Sequence, residues 1–285
     1  MGVIIGIDVG GTTTKIVGVS LKKDGKIELI KPQFVKANDP ITAIYGAFGK
    51  FTNENGLKLS DIDKIMMTGV GSSYVKGDIY GLRCEKVSEF EATGLGGLFT
   101  AEIDSALVVS MGTGTAVVHA RRGGEMVYLG GTGVGGGTLV GLSKLLIKAD
   151  VISHIEEYSK DGDLSKIDLR IKDISKDDGL LMGELTASNF GNVSDMATRE
   201  DLALGILNMV YETIGMISIF AARSVDAKRV VLTGNLTRLA CCSEKFDFFN
   251  KMSDTYGVQF IIPESAEYAT VIGTALYGLE KGTDI

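Results

Sequence analysis

A chain of 285 residues, 45% hydrophobic and 23% charged, is long enough to bury one large α/β core or two lobes and has the balance of a soluble globular protein. Its net charge of -7 and pI near 5.0 speak against a nucleic-acid-binding surface, and no basic run appears. Three cysteines, Cys84 and the adjacent Cys241 and Cys242, lack the spacing of a disulfide framework or metal site and read as reduced thiols of a cytoplasmic protein; no stretch approaches the ~18 uninterrupted apolar residues of a membrane span.

Residues 3–7 (VIIGI) make a short buried strand, Asp8 stands at its end, and Gly10-Gly11 turn the chain into a second β-branched strand. The tip of this hairpin suits phosphate. Adjacent glycines let backbone N–H groups approach an anionic oxygen, Thr12, Thr13 and Thr14 add hydroxyls, and Lys15 adds a positive charge. Asp8 is a candidate for the Mg²⁺ that accompanies a nucleotide, held through water. An ordinary hairpin with a glycine turn and a capping aspartate is the alternative that this motif alone leaves open.

A third strand at 26–35 follows the turn at Lys23-Asp24-Gly25, and Asp39 caps a helix that starts at Pro40 and runs to about residue 55. A buried strand at 63–67 ends in Thr68-Gly69-Val70-Gly71-Ser72, a tight turn onto a short helix; a strand at 84–88 and a helix at 89–100 complete a first lobe of residues 1–103.

The second lobe, residues 104–285, repeats the theme. A buried strand at 106–110 leads through Met111-Gly112-Thr113-Gly114-Thr115 into a hairpin whose strands, 117–121 and 125–129, flank Gly123-Gly124. With those glycines as the turn, His119 lies opposite Tyr128 and Arg121 opposite Met126. GGTGVGGGT at 130–138 precedes a helix over 139–148, whose start offers unpaired N–H groups and a favourable dipole to an anion. Residues 161–194 are polar and weakly periodic and read as a lid or interface element. The helix at 200–225 is apolar on most sides, either the core of this lobe or shared with a partner chain. A strand at 229–232 ends at Thr233-Gly234-Asn235, where a base or ribose can sit, and a last strand at 258–262 precedes a closing helix at 269–279 in which Gly273 permits close approach.

DxGGTxTK at Asp8 to Lys15, the second small-residue turn at Gly112 to Thr115, and VVLTGN at 230–235 before IGTAL at 272–276 resemble the acetate and sugar kinase, Hsc70 and actin superfamily. That resemblance implies an α/β protein of two ribonuclease-H-like lobes with mixed sheets, the actin-like ATPase fold, clasping ATP between them. Within it the chain is most similar to type II pantothenate kinases, nearly end to end, through GIDVGGTTTKI (6–16), SEFEA (88–92), SMGTGTA (110–116), GGTGVGGGT (130–138) and LTASNFG (185–191). The resemblance implies ATP-dependent phosphorylation of pantothenate to 4'-phosphopantothenate, the first step of coenzyme A biosynthesis. It also implies a homodimer, with the long helix and LTASNFG near the subunit boundary.

By the same resemblance Glu89 is the general base that takes the proton from the substrate's primary hydroxyl. Its place where strand passes into helix suits that task, although a carboxylate favoured there by the helix dipole alone is the alternative. The triphosphate and Mg²⁺ fall to Asp8, Gly10, Gly11, Thr12, Thr13 and Lys15. Thr113 faces the transferring phosphoryl group, Gly136, Gly137 and Thr138 border the nucleotide, and Asn235 lies near the adenosine. Relatives carry an arginine just before the glycine-rich stretch, where it holds substrate oxygens; here that place reads Val127-Tyr128-Leu129. Arg121, from the neighbouring strand, either reaches towards the vacant place or is an exposed hairpin arginine. The departure brings in a kinase of another small alcohol, such as an amino sugar or a pantothenate analogue. A nucleotide-driven activator or scaffold ranks third: activators of this superfamily need cysteines bridging a dimer around an iron–sulfur cluster, a spacing that Cys84 and Cys241-Cys242 do not supply.

Overall fold

A computed structural model describes residues 2–11, 13–36, 39–175 and 181–280. In chain order the first half comprises β1 (Val3–Val9), β2 (Thr14–Leu21), β3 (Ile27–Val35), α1 (Pro40–Glu54), β4 (Ile62–Thr68), β5 (Cys84–Lys86) and α2 (Glu89–Thr100). β6 (Ser105–Met111), β7 (Thr115–Arg121), β8 (Val127–Thr132), α3 (Gly136–Leu146) and α4 (Ile152–Ser159) follow. The remainder comprises β9 (Leu169–Arg170), α5 (Ile171–Ile174), β10 (Thr186–Ser188), α6 (Arg199–Ser224), β11 (Arg229–Thr233), α7 (Ala240–Asn250), α8 (Ser253–Tyr256), β12 (Gln259–Ile261) and α9 (Ala269–Glu280).

The strands form two five-stranded mixed sheets of identical plan, ordered β3-β2-β1-β4-β5 and β12-β11-β6-β7-β8. In each, an antiparallel meander supplies three strands and two later strands add in parallel beside the first. The repeated order of strand, small-residue turn and hairpin thus corresponds to a repeated sheet. Period-two alternation assigns the faces: in β6, Ala106 and Val108 pack with Leu98 of α2, whereas Leu107, Val109 and Met111 join Ile206 and Val210 of α6.

Two helices cross between the lobes. α2 lies on the second sheet, where Gly97 meets Val108, and α9 lies on the first, where Gly6 meets the Val271 carbonyl and Gly278 meets Met66. α2 and α9 touch backbone to backbone, because a Cβ on Gly96 would stand 1.7 Å from the Ala269 carbonyl oxygen and one on Gly273 would stand 1.9 Å from that of Ala92.

α6 is long and apolar enough to cross a membrane, yet 67% of its most hydropathic window is buried inside the fold. Asn208 on it binds Asp168, Thr186 and Glu212, and Thr186 donates from N–H and hydroxyl to Glu212, both at 2.8 Å. This buried network pins β9 and β10, within the segment read as a lid or interface element, onto the core helix.

Candidate functional site

β1 and β2 pair Asp8 with Lys15 and Val9 with Thr14, so the first tip is a four-residue loop closed by the Gly10 N–H donating to the Thr13 carbonyl at 3.0 Å. Thr12 lies outside the described residues. Gly69, at φ 83°, packs its backbone directly against β1: a Cβ there would stand 2.5 Å from the Val9 carbonyl oxygen and 2.7 Å from Asp8 Oδ1, so only glycine lets the chain pass this close to the carboxylate. Burial pushes the Asp8 carboxyl up and the Lys15 ammonium partly offsets this. Burial in turn pushes Lys15 down, against the attraction of Asp8 and Glu267. Lys15 Nζ donates to the Glu267 carbonyl at 2.6 Å, so this cation is anchored to the loop ahead of α9.

The second tip mirrors the first. The Gly112 N–H donates to the Gly114 carbonyl at 2.9 Å, and Thr113 Oγ1 stands 3.9 Å from where a Cβ on Gly11 would be. The two tips therefore face each other across the lobes. α3 begins at Gly136, three residues before the helix start read from the sequence, and its first N–H groups are engaged: Gly136 donates to the Gly112 carbonyl at 2.9 Å and Gly137 to that of Thr113 at 2.8 Å. The N–H groups that the sequence offers to an anion are thus already paired, bracing the Thr113 turn. Thr138 Oγ1 donates to the Gly133 carbonyl at 2.7 Å and accepts from the Gly135 N–H at 3.4 Å, shaping the loop from within.

A cleft of about 870 Å³ opens between the lobes. It brings together Thr13, Lys15, Thr113, Gly136, Gly137 and Asn235 of the candidate residues. Phe34, Lys36, Arg238, Glu267 and Tyr268, which sequence reasoning missed, also line it. Arg238 carried a readable signal: residues 235–238 form a 3₁₀ turn, in which side chains three apart eclipse, so Arg238 shares the face of Asn235. Its guanidinium lies 5.4 Å over the Phe34 ring, a contact from the second lobe to the first. Phe34 gave no such signal, since its partner is 204 residues away in sequence.

Glu89 is the first residue of α2, whose cap Ser88 accepts from the Phe90 N–H at 3.3 Å. Its side chain remains open to solvent. Burial pushes the carboxyl up, and the negative charge of Asp8 adds to this. Phe90 stacks on Tyr128, ring centroids 3.9 Å apart.

The hairpin register differs from the one read in the sequence. The turn is closed by the Gly124 N–H donating to the Arg121 carbonyl at 3.0 Å, with Arg122 and Gly123 (φ 67°) at its centre. Val118 pairs with Tyr128 and His119 with Val127, one residue from the register read in the sequence; beyond a bulge at Leu129 that register is regained, Val117 pairing with Gly130 and Thr115 with Thr132. Arg121 pairs with Ser105, whereas the Thr113 turn follows the Met111–Thr115 pair at the opposite end of the same ladder. Ala120 faces α2, so Arg121 points to the other side of the sheet. The structure does not bring Arg121 to the cleft.

The sequence profile of the Fumble family matches residues 100–276. A type II pantothenate kinase of Oceanobacillus iheyensis is 30% identical over 244 residues, covering 81% of this chain and 83% of that protein, and one from Bacillus cereus is 30% identical over 243 residues with the same coverage. Among solved structures, the chain is similar to the activator of 2-hydroxyisocaproyl-CoA dehydratase from Clostridium difficile (TM-score 0.69, 18% identity, 99% of this chain and 96% of that one). It is also similar to a ROK family protein from Streptococcus pneumoniae (TM-score 0.61, 13% identity, 99% and 100%). At these identities the structures establish the fold, which is that of the actin-like ATPases.

Proposed function

Because the chain belongs to the Fumble family, with type II pantothenate kinases among its relatives, we propose that it transfers the terminal phosphoryl group of ATP to the primary hydroxyl of pantothenate, with Glu89 as general base. The observation that carries the reading is the meeting of the two lobes at their glycine tips, Gly11 of one facing Thr113 of the other. Phosphoryl transfer needs chiefly positioning and charge neutralisation. Glu89 stands at a capped helix start, a rigid mount from which it accepts the hydroxyl proton as the bond to phosphorus forms. Thr113, held by the Gly112–Gly114 turn and the α3 start, presents a hydroxyl to the incoming phosphoryl group.

Asp8 fits Mg²⁺. It is a carboxylate near a strand end, its hard oxygens suit the ion, and its facing cation, Lys15, is engaged with the Glu267 carbonyl. No cage of three or more His, Cys, Asp or Glu exists among the described residues, which suits an ion that keeps waters and takes its other ligands from the nucleotide. Bound there, Mg²⁺ would neutralise charge on the phosphate oxygens.

Pantothenate-dependent ADP formation from Mg-ATP tests the reading. Glu89→Gln should lower kcat by about 10²–10⁴-fold, the range for loss of a general base. Turnover undiminished in that variant would remove Glu89 from the chemistry; ADP formation indifferent to pantothenate would remove the substrate. The same reading places the reaction at the entry to coenzyme A synthesis and in a homodimer, which analytical ultracentrifugation checks.

A further inference from the structure

The part of the cleft beyond the glycine tips carries information about the nucleotide's base, and the inference rests on the reading just given, in which the tips at Lys15 and Thr113 hold the phosphates. α3 starts against the second tip, where the Gly136 and Gly137 N–H groups donate to the Gly112 and Thr113 carbonyls. Gly141 lies one turn further along that helix, about 6 Å beyond Gly137, and also lines the cleft. A Cβ on Gly141 would meet nothing within 4 Å, so the helix presents bare backbone to open space here. Val140, Val151, Ile152, Leu236 and Leu239 line the same region. A glycine face set among aliphatic side chains makes a slot for a flat aromatic ring, whose faces leave water while its edge keeps access to polar groups.

Two carboxylates border this slot, and they are held differently. Asp150 faces the Lys144 ammonium at 3.7 Å. Glu156 of α4 is fixed from a second element, its Oε1 accepting from the N–H of Ala240, the first residue of α7, at 2.6 Å. The nearby Lys160 pairs with Glu157 instead, and Glu156 Oε2 accepts no hydrogen bond among the described residues. A fixed carboxylate with one oxygen engaged offers a single acceptor. Adenine presents a 6-amino group that can donate to it, whereas hypoxanthine and guanine present a 6-oxo group whose lone pairs it repels. The adjacent N1–H and 2-amino donors of guanine suit a carboxylate with both oxygens open, and here one is held by Ala240.

We propose that Glu156 is a specificity residue that reads the exocyclic amine of the nucleotide's base: with its ring in the slot beside Gly141, an adenine nucleotide donates from its 6-amino group to Glu156 Oε2, and nucleotides with a 6-oxo base are rejected. Glu156 takes no part in the transfer itself; it decides which phosphoryl donor is admitted.

The experiment measures Kd by isothermal titration calorimetry for Mg-ADP, Mg-IDP and the diphosphate of purine riboside, which lacks a 6-substituent, so that neither acceptor nor turnover is needed. The parent should bind ADP about 10–100-fold more tightly than the other two. Glu156→Gln keeps an amide oxygen for the Ala240 N–H and turns an NH₂ donor to the base. It should melt with the parent, bind IDP about tenfold more tightly than the parent does, and lose the preference for ADP. Gly141→Leu fills the slot and should weaken ADP and IDP alike by about tenfold or more. Equal Kd values for ADP and IDP in the parent overturn the inference. So does a preference unaltered in folded Glu156→Gln, since a carboxylate that only caps α7 would leave it unmoved, and so does undiminished binding in Gly141→Leu. None of these results touches the transfer to pantothenate, which turnover tests separately. Absence of pantothenate-dependent turnover, with ADP still preferred over IDP, overturns the proposed acceptor and supports the role of Glu156.

Discussion

Glu89 and Asp201 are carboxylates displaced in opposite directions, and each displacement sets a pH dependence. Glu89 is raised above its ordinary 4.5 by burial and by Asp8. As a base it must be ionised, so the acid limb of kcat/KM should fall at a pH above the usual glutamate range, and the limb should vanish in Glu89→Gln. The ionised form is also the costly one in the folded state. That cost is absent below the unfolded value and grows as pH rises through the folded one, so Glu89→Gln should melt no lower than the parent at pH 7, the gap closing towards pH 4. A lower melting point at pH 7 would show that Glu89 is held by contacts of another kind. Burial also works against the charge of Asp201, but the N–H donors of Thr198 and Asp163 and the Lys166 ammonium outweigh it and hold the carboxyl at about 2. Its contribution to stability, about 2 kcal/mol from a shift of nearly two pH units, is full above pH 4 and lost as pH falls towards 2. Urea titrations of Asp201→Asn across that range should show the matching deficit only at the higher pH. Of these two residues the sequence revealed one. Glu89 could be picked out from SEFEA, whereas Asp201, which completes the capping box of Thr198 at the start of α6, also binds residues 163 and 166, which no local pattern joins to it.

At the scale of elements, α2 begins and ends where its sequence says, because Ser88 caps it and its composition is uniform. The β7–β8 hairpin keeps its predicted register from Thr115 to Val117 but is displaced by one residue nearer the turn, which closes at Arg121–Gly124, and the bulge at Leu129, marked by no distinctive residue, absorbs that step. Of the two readings of Arg121, its place at the end of the β6–β7 ladder away from the Thr113 turn favours the exposed hairpin arginine. The α2–α9 crossing supplies the firmest element-scale prediction. Gly96→Ala and Gly273→Ala each drive a methyl into a carbonyl of the other helix and should destabilise by about 3 kcal/mol in denaturant unfolding. The double variant should lose less than the sum, since either clash already forces the same two helices apart. Gly46→Ala, on an exposed turn of α1 with nothing near the added carbon, should instead stabilise by about 0.5–1 kcal/mol.

For the whole molecule, the two-lobe plan was legible because strand, glycine turn and hairpin occur twice in the sequence, and the two sheets repeat one strand order. What joins the lobes was not legible, since Lys15 to Glu267 and Phe34 to Arg238 are pairs more than 200 residues apart. A ligand bound between the tips tightens both lobes at once. Mg-ATP at a hundred times its Kd should stabilise the fold by about 2.7 kcal/mol, a rise in Tm of about 5 °C that ATP analogues lacking the terminal phosphate reproduce only in part. Equal melting with and without nucleotide would argue against a site in the cleft.

The exchange of helices also dictates when the protein can fold during its own synthesis. The first sheet is complete once β5 has left the ribosome, but the helix that covers one of its faces, α9, is encoded some 180 residues later. Through most of translation that face is a bare apolar surface awaiting its cover. Residues 1–103 made alone should therefore recruit holding chaperones or aggregate, and a separately supplied peptide spanning 269–280 should rescue their solubility.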